Sequence, residues 1–257
     1  MHAMLTVSVY LGLVLLGSLV SSSQGRYSHP KYHPRALNKH DTQLYGDCHE
    51  VRKVGGYNVS GVYTLHMNKT TPFQVYCEHT ADNSFTVIQR RMSPAVTFIR
   101  SWPEYVSGFG NVQDSYWAGL NHIFYLTSTG NGNNVLTINM QTWNGEAQNV
   151  RYSYFRLQDS TYFTLNIGGF FGSIPDDLSF NNNMPFATYD RPDLKGCASQ
   201  QMAGWWYNYC SYALLNGVYY NGGSYTPTGS YYNGIYWKDW RGYGYSLKFV
   251  SMTLSHI

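Results

Sequence analysis

The 257-residue chain predicts an α+β domain in which short strands dominate, helices are few and short, and the last third is loop-rich. Three observations predict it. Within Asn134 to Trp143, Val135, Thr137 and Asn139 alternate with Leu136, Ile138 and Met140, the period-two pattern of a half-buried strand. The chain holds 25 Tyr, and aromatic residues make up 17% of it, a composition that fills a β-rich core. After Gly168 regular strand patterns become scarce until Tyr245. Asn-Gly pairs at Asn216–Gly217, Asn221–Gly222 and Asn233–Gly234 mark tight turns there.

Residues 1–23 read as a signal peptide. Leu5 to Leu19 is mostly apolar and uncharged, and Ser21, Ser22 and Ser23 follow, which places cleavage near Ser22 or Ser23. The run is short for a membrane span, and no later stretch is suited to crossing a bilayer, so no span is expected after cleavage. An uncleaved anchor is the alternative. Residues 24–45 read as a flexible linker: Arg26 to Thr42 carries Pro30, Pro34 and scattered basic residues, with few large aliphatics. Its histidines, His29, His33 and His40, sit in no fixed geometry for a metal.

Residues 46–257 form the expected domain. Val59 to Leu65 and Phe73 to Tyr76 read as strands, and Ser84 to Gln89 as a central one. Trp102 to Gly110 reads as a short helix or loop, and Leu120 to Thr127 as a helix. Strands follow at Asn134 to Trp143, Tyr152 to Leu157, Tyr162 to Ile167 and finally Tyr245 to Leu254. No collagen-type repeat and no heptads occur.

The four cysteines, Cys48, Cys77, Cys197 and Cys210, suggest two bridges in an exported chain. Three pairings are possible; neighbour pairing would give two local staples in a compact layout. A closure such as Cys197–Cys210 contributes on the order of 3 kcal/mol by chain entropy. No Cys-x-x-Cys pair favours a metal instead. Asn58 and Asn68 each begin an N-x-S/T glycosylation site. A net charge of +3, with 12% charged residues, argues against a nucleic-acid partner.

Residues 201–250 hold 11 Tyr and 4 Trp, no His, no Glu and one Asp, Asp239. Such a segment can stack, exclude water and donate hydroxyl hydrogen bonds, which suits binding. It nearly lacks the titratable groups catalysis needs, so no enzyme is expected. Asp176–Asp177 and Asp190/Asp193 are the clearest acid clusters in the second half. Neither makes a convincing glycosidase pair. Trp205 and Trp206 are expected in the core.

An ordered set of motifs then points to one family. It includes Gly46-Asp47-Cys48, Pro72-Phe73-Gln74-Val75-Tyr76-Cys77, Thr86-Val87-Ile88-Gln89-Arg90-Arg91 and Tyr116-Trp117-Ala118-Gly119-Leu120-Asn121. It continues with Met184-Pro185-Phe186-Ala187-Thr188-Tyr189-Asp190, Gly204-Trp205-Trp206-Tyr207-Asn208-Tyr209-Cys210 and Gly234-Ile235-Tyr236-Trp237. Over residues 46–257 the chain resembles the fibrinogen-related domain (the C-terminal globular domain of fibrinogen), with ficolins and tachylectins as functional analogues. The resemblance implies neighbour pairing of the cysteines and a twisted antiparallel sheet with short helices. It also implies a loop-rich C-terminal region that binds ligand and calcium.

The expected function is that of a secreted, extracellular lectin for acetylated sugars or other microbial or cell-surface glycans in innate immunity. The alternative is a protein-binding ligand for receptors in signalling or adhesion, of angiopoietin or tenascin type. Any oligomer would form through domain surfaces. In lectins of this family an acetyl group enters beside the second cysteine of the last bridge, after a cis peptide. Carried over, that bond is Tyr209–Cys210, and the pocket walls are Gln201, Ser211, Tyr231 (with Tyr232 adjoining) and Tyr243. The usual aromatic at the Gln201 position and the usual His at the Ser211 position are replaced. The candidate calcium ligands are Asp193 and, unless it is structural, Asp190; a salt-bridged or solvated turn is the favoured alternative. The loop Asp190-Arg191-Pro192-Asp193-Leu194-Lys195-Gly196-Cys197 is about three residues short for an ion that wants roughly six to eight oxygens.

Overall fold

The computed structural model describes residues 43–128, 134–227 and 229–256. The expected signal peptide, and the linker up to residue 42, lie outside the described residues. Tyr45, assigned above to the linker, belongs to the packed domain: it is buried, and its carbonyl accepts from the His66 N–H.

The strands are β1 (Gly61–Met67), β2 (Thr71–His79), β3 (Ser84–Arg91), β4 (Phe109–Gly110), β5 (Tyr116–Trp117), β6 (Asn134–Gln141), β7 (Ala147–Leu157) and β8 (Leu165–Gly172). Shorter ones follow at β9 (Phe186–Ala187), β10 (Trp205–Trp206), β11 (Ala213–Leu214) and β12 (Tyr236–Trp237), before β13 (Phe249–His256). The helices are α1 (Cys48–Lys53), α2 (Trp102–Ser107), α3 (Leu120–Ser128), α4 (Cys197–Gln201) and α5 (Lys238–Arg241). The main sheet runs β1-β2-β3-β13-β6-β7-β8, antiparallel throughout. The last strand is therefore central, between β3 and β6, and closes the sheet only after the loop-rich region has been laid down.

Sequence pattern accounts for the elements. Along β7, Val150, Tyr152, Phe155 and Leu157 turn inward and leave Arg151, Ser153 and Arg156 outside. Helix α1, absent from the sequence expectation, carries a reciprocal cap. The Asp47 carboxylate accepts from Glu50 N–H at 2.8 Å, and the Glu50 carboxylate accepts from Gly46 N–H at 2.8 Å. The expected strand from Tyr162 starts instead at Leu165. The Asp159 carboxylate collects the N–H groups of Thr161, Tyr162 and Thr164 and folds that stretch into a turn.

The bridges pair neighbours, Cys48–Cys77 and Cys197–Cys210. Trp117, Trp205, Trp206 and Trp237 are fully buried. Trp206 donates its indole N–H to Phe163 O at 2.8 Å and meets Phe186 edge-on at 5.2 Å. Among the described residues no helix is long and apolar enough to cross a membrane.

Two of the expected Asn-Gly turns do other work. Asn216 and Gly217 pack against Asn233 and Gly234, with Val218 N–H donating to Asn233 O at 2.7 Å. A Cβ on Gly217 would lie 2.0 Å from Gly234 O, so only glycine permits this approach. Gly217→Ala should therefore lower stability by about 1–3 kcal/mol. Urea unfolding checks it, as a lower midpoint at unchanged m-value.

Candidate functional site

The region around Cys197–Cys210 has few strand ladders, so side chains hold its backbone. The Asp193 carboxylate accepts from three amides, Lys195 at 3.0 Å, Cys197 at 3.1 Å and Ala198 at 2.9 Å, and thereby caps α4. The Asn181 side chain donates to Trp206 O at 2.6 Å and to Cys210 O at 3.2 Å. Asn208 donates its side-chain amide to Phe180 O at 2.7 Å and its backbone N–H to Cys210 O at 2.9 Å.

The chain reverses here through left-handed backbone at Tyr209 (φ 51°) and Cys210 (φ 70°), and no cis peptide occurs among the described residues. The cis bond expected at Tyr209–Cys210 is thus corrected. Two consecutive left-handed residues make the turn on a trans bond, and they leave the Tyr209 ring 75% exposed.

Gln201 and Ser211 come together, but inside the protein: they are 3% and 4% exposed. Gln201 Nε2 donates to Tyr232 O at 2.7 Å and to Tyr236 Oη at 2.8 Å. Ser211 Oγ shares a hydrogen bond with Tyr236 Oη at 2.8 Å and donates to Gln201 Oε1 at 3.4 Å. Burial pushes the Tyr236 phenol far above its ordinary pKa, so it stays protonated and can take part in this triad at neutral pH. Tyr243 stands edge-on to Tyr236 at 5.1 Å and stacks on Tyr232 at 6.1 Å. It is Tyr232, not Tyr231, that joins Gln201 and Tyr243. Sequence reasoning missed the hydroxyl of Tyr236, although the residue lay in plain view within Gly234-Ile235-Tyr236-Trp237.

Outside this triad, exposed aromatic and aliphatic side chains stand among lysines. Tyr231 is half-exposed, and Leu194 is fully exposed beside Lys195, whose Nζ lies 4.9 Å from the Tyr209 ring. Lys238 covers Tyr212 at 3.9 Å, and Tyr212 stacks on Phe180 at 3.9 Å.

The two candidate calcium ligands are engaged elsewhere. Asp190 accepts from the Trp102 N–H at 2.8 Å, which ties the start of α2, and from the Thr188 hydroxyl at 2.7 Å. The amide hydrogens gathered on Asp193 point where a cation would have to sit. Among the described residues no group of three metal-ligating side chains occurs. These residues do not fit a calcium ion, which needs more oxygens free of donors. The remaining acids are anchored too. Asp176 accepts from Tyr152 Oη and from both the N–H and the hydroxyl of Ser179. Asp177 is fully buried and accepts from Asp239 N–H; burial, with the Asp239 carboxylate beside it, pushes its pKa up to about 7. Asn58 and Asn68 are exposed.

Residues 44–256 match the family described as fibrinogen beta and gamma chains, C-terminal globular domain. The chain belongs to that family. Human angiopoietin-related protein 6 is 36% identical over 230 residues, covering 88% of this chain and 47% of that protein. Mouse angiopoietin-related protein 2 is 39% identical over 205 residues, covering 77% and 41%. This fibrinogen-type chain thus spans less than half the length of those relatives. Among solved structures, the fibrinogen-like globe domain of human ANGPTL2 superposes with a TM-score of 0.77 at 38% identity, covering 82% of this chain and 98% of that one. Lamprey fibrin D-dimer, complexed with the peptide ligand Gly-His-Arg-Pro-amide, gives 0.77 at 30% identity, covering 83% and 74%.

Replacing Asp193 by Ala in this fibrinogen-type domain leaves three amides without their acceptor and should cost about 1–2 kcal/mol. The thermal midpoint of wild type should be the same in millimolar calcium and in chelator. Scanning calorimetry of both proteins in both buffers checks the pair of expectations.

Proposed function

We propose that the chain is a secreted, non-catalytic protein-binding domain, a ligand for cell-surface receptors in signalling or adhesion of the angiopoietin-related kind. The observation that carries this reading is the buried Gln201–Ser211–Tyr236 triad. The positions that would line an acetyl pocket satisfy one another, and a sugar would have to break those bonds to reach them. Accessible around the triad are the exposed Tyr209, Leu194, Tyr231 and Tyr232. Large amphipathic rings and an aliphatic side chain suit a protein contact. The angiopoietin-related relatives support the same reading, as does the peptide bound by lamprey fibrin D-dimer. Export is supported by the apolar run over residues 5–19 and by two disulfides.

One observation favours a second reading, a glycan-binding lectin in innate immunity: the stacked Tyr232 and Tyr243 rings offer a platform for a sugar face. Cell binding separates the two. The domain should bind cells after enzymatic removal of their glycans and lose binding after mild surface proteolysis. Leu194→Ser with Tyr209→Ser should weaken binding by roughly tenfold, as expected for loss of a contact centre. Binding abolished by deglycosylation, or competed by free N-acetylglucosamine, would establish the lectin instead.

A further inference from the structure

Strand β3 ends on Arg91, whose side chain is 1% exposed. Its Nη1 donates to the carbonyls of Leu215 and Gly217. Its Nε is buried and donates to nothing. Above it lies the Phe98 ring, 3.8 Å from the guanidinium carbon, with the Tyr219 ring at 5.9 Å. Among the described residues no carboxylate lies within ion-pair distance of it. Burial lowers its pKa to about 9, so it is still a cation at neutral pH. A buried cation is ordinarily paired with an anion, because neutral acceptors and ring faces compensate only part of its lost hydration.

Arg91 also lines a cavity of about 120 Å³. Phe98, Met202, Val218 and Tyr219 are among its other walls, which also include the polar Thr97 and Asn216. The exposed Ile99 stands in the lining as well, so the cavity reaches the surface. A fully buried guanidinium with an unused donor thus forms one wall of a small, otherwise largely apolar opening.

We propose that this cavity is a binding site for a carboxylate carried on a short aliphatic chain. The carboxylate would take the Arg91 guanidinium, the geometry in which arginine recognises anions best. The methylene groups would lie against Met202 and Val218. At about 120 Å³ the cavity is small, and it suits a carboxylate carried on two or three carbons. Charge rejects amines, and the apolar walls disfavour small inorganic anions that bring no carbon to bury. The carboxylate has two sources, a free short-chain acid or the acidic end of a polypeptide. The site shares no lining residue with Tyr209 and its surroundings, and it stands whether or not the protein-binding reading does.

The test is titration of the folded, secreted protein, followed through the Arg91 Nε–H resonance. The probes are butyrate, butyramide, chloride at equal ionic strength, and an alanine-terminated pentapeptide as free acid and as amide. Butyrate should shift the resonance saturably and raise the thermal midpoint, while butyramide and chloride do neither. Val218→Phe keeps Arg91 and fills the cavity, and should abolish the response in a protein that still folds. Arg91→Lys, if it folds, should weaken butyrate by roughly tenfold. A free-acid peptide binding more tightly than butyrate identifies a polypeptide source; butyrate binding alone identifies a small acid. The proposal fails if neither acid gives a saturable response in wild type, if butyramide matches butyrate, or if Val218→Phe leaves the response intact.

Discussion

Every buried carbonyl and amide must find a partner, and the C-terminal third of this domain has few strand ladders to supply them. The partners come from side chains. Gln89 and Arg91 on β3 reach the Leu215–Gly217 loop; Asn216 Nδ2 passes the connection on to Gly204 O at 3.0 Å. Asn181 and Asn208 hold the turn that carries Cys210, and Asp193 caps the helix that carries Cys197. The second bridge therefore joins two short segments already fixed by polar contacts. The rigidity of the region rests on these bonds more than on regular secondary structure.

That constraint also decides what the surface can offer. Gln201, Ser211 and Tyr236 are spent on one another, and so are the hydrogen-bonding groups that a pocket would present to a ligand. The same turn that buries them pushes Tyr209 outward on left-handed backbone. A closed interior and an exposed ring are two results of one local geometry. Both carboxylates of the shortened loop serve the backbone, Asp193 at α4 and Asp190 at the start of α2.

Much of the fold was legible. Alternation marked β6, the Ser84–Gln89 run marked a central strand, and the motif order marked the family and with it the neighbour-paired bridges. Helix α1 was missed because it is only six residues long, too short for a helical period to show, although the Asp47/Glu50 spacing held its cap. The start of β8 was misplaced because Asp159 gathers three amides, a bond pattern that β-propensity does not register. Two Asn-Gly pairs looked like hairpin turns, yet Gly217 and Gly234 serve a close backbone approach between distant segments. At the site, the family resemblance named Gln201, Ser211 and Tyr243, which the structure brings into one neighbourhood around Tyr236. Their orientation was not legible, because it depends on Tyr236 Oη, whose partners are 25 and 35 residues away in sequence. The Tyr209–Cys210 bond is trans, the form a peptide before a non-proline residue ordinarily takes.

The side-chain amide of Gln201 reports most directly on whether the interior is closed. Its hydrogen exchange and chemical shift can be followed while N-acetylglucosamine is added to the folded protein. With Nε2 donating to Tyr232 O and Tyr236 Oη, the amide should exchange slowly and stay unshifted throughout the titration. Rapid exchange, or a shift that saturates with the sugar, would mean that the triad opens to ligand and that the account of a closed pocket with an outward tyrosine surface is wrong.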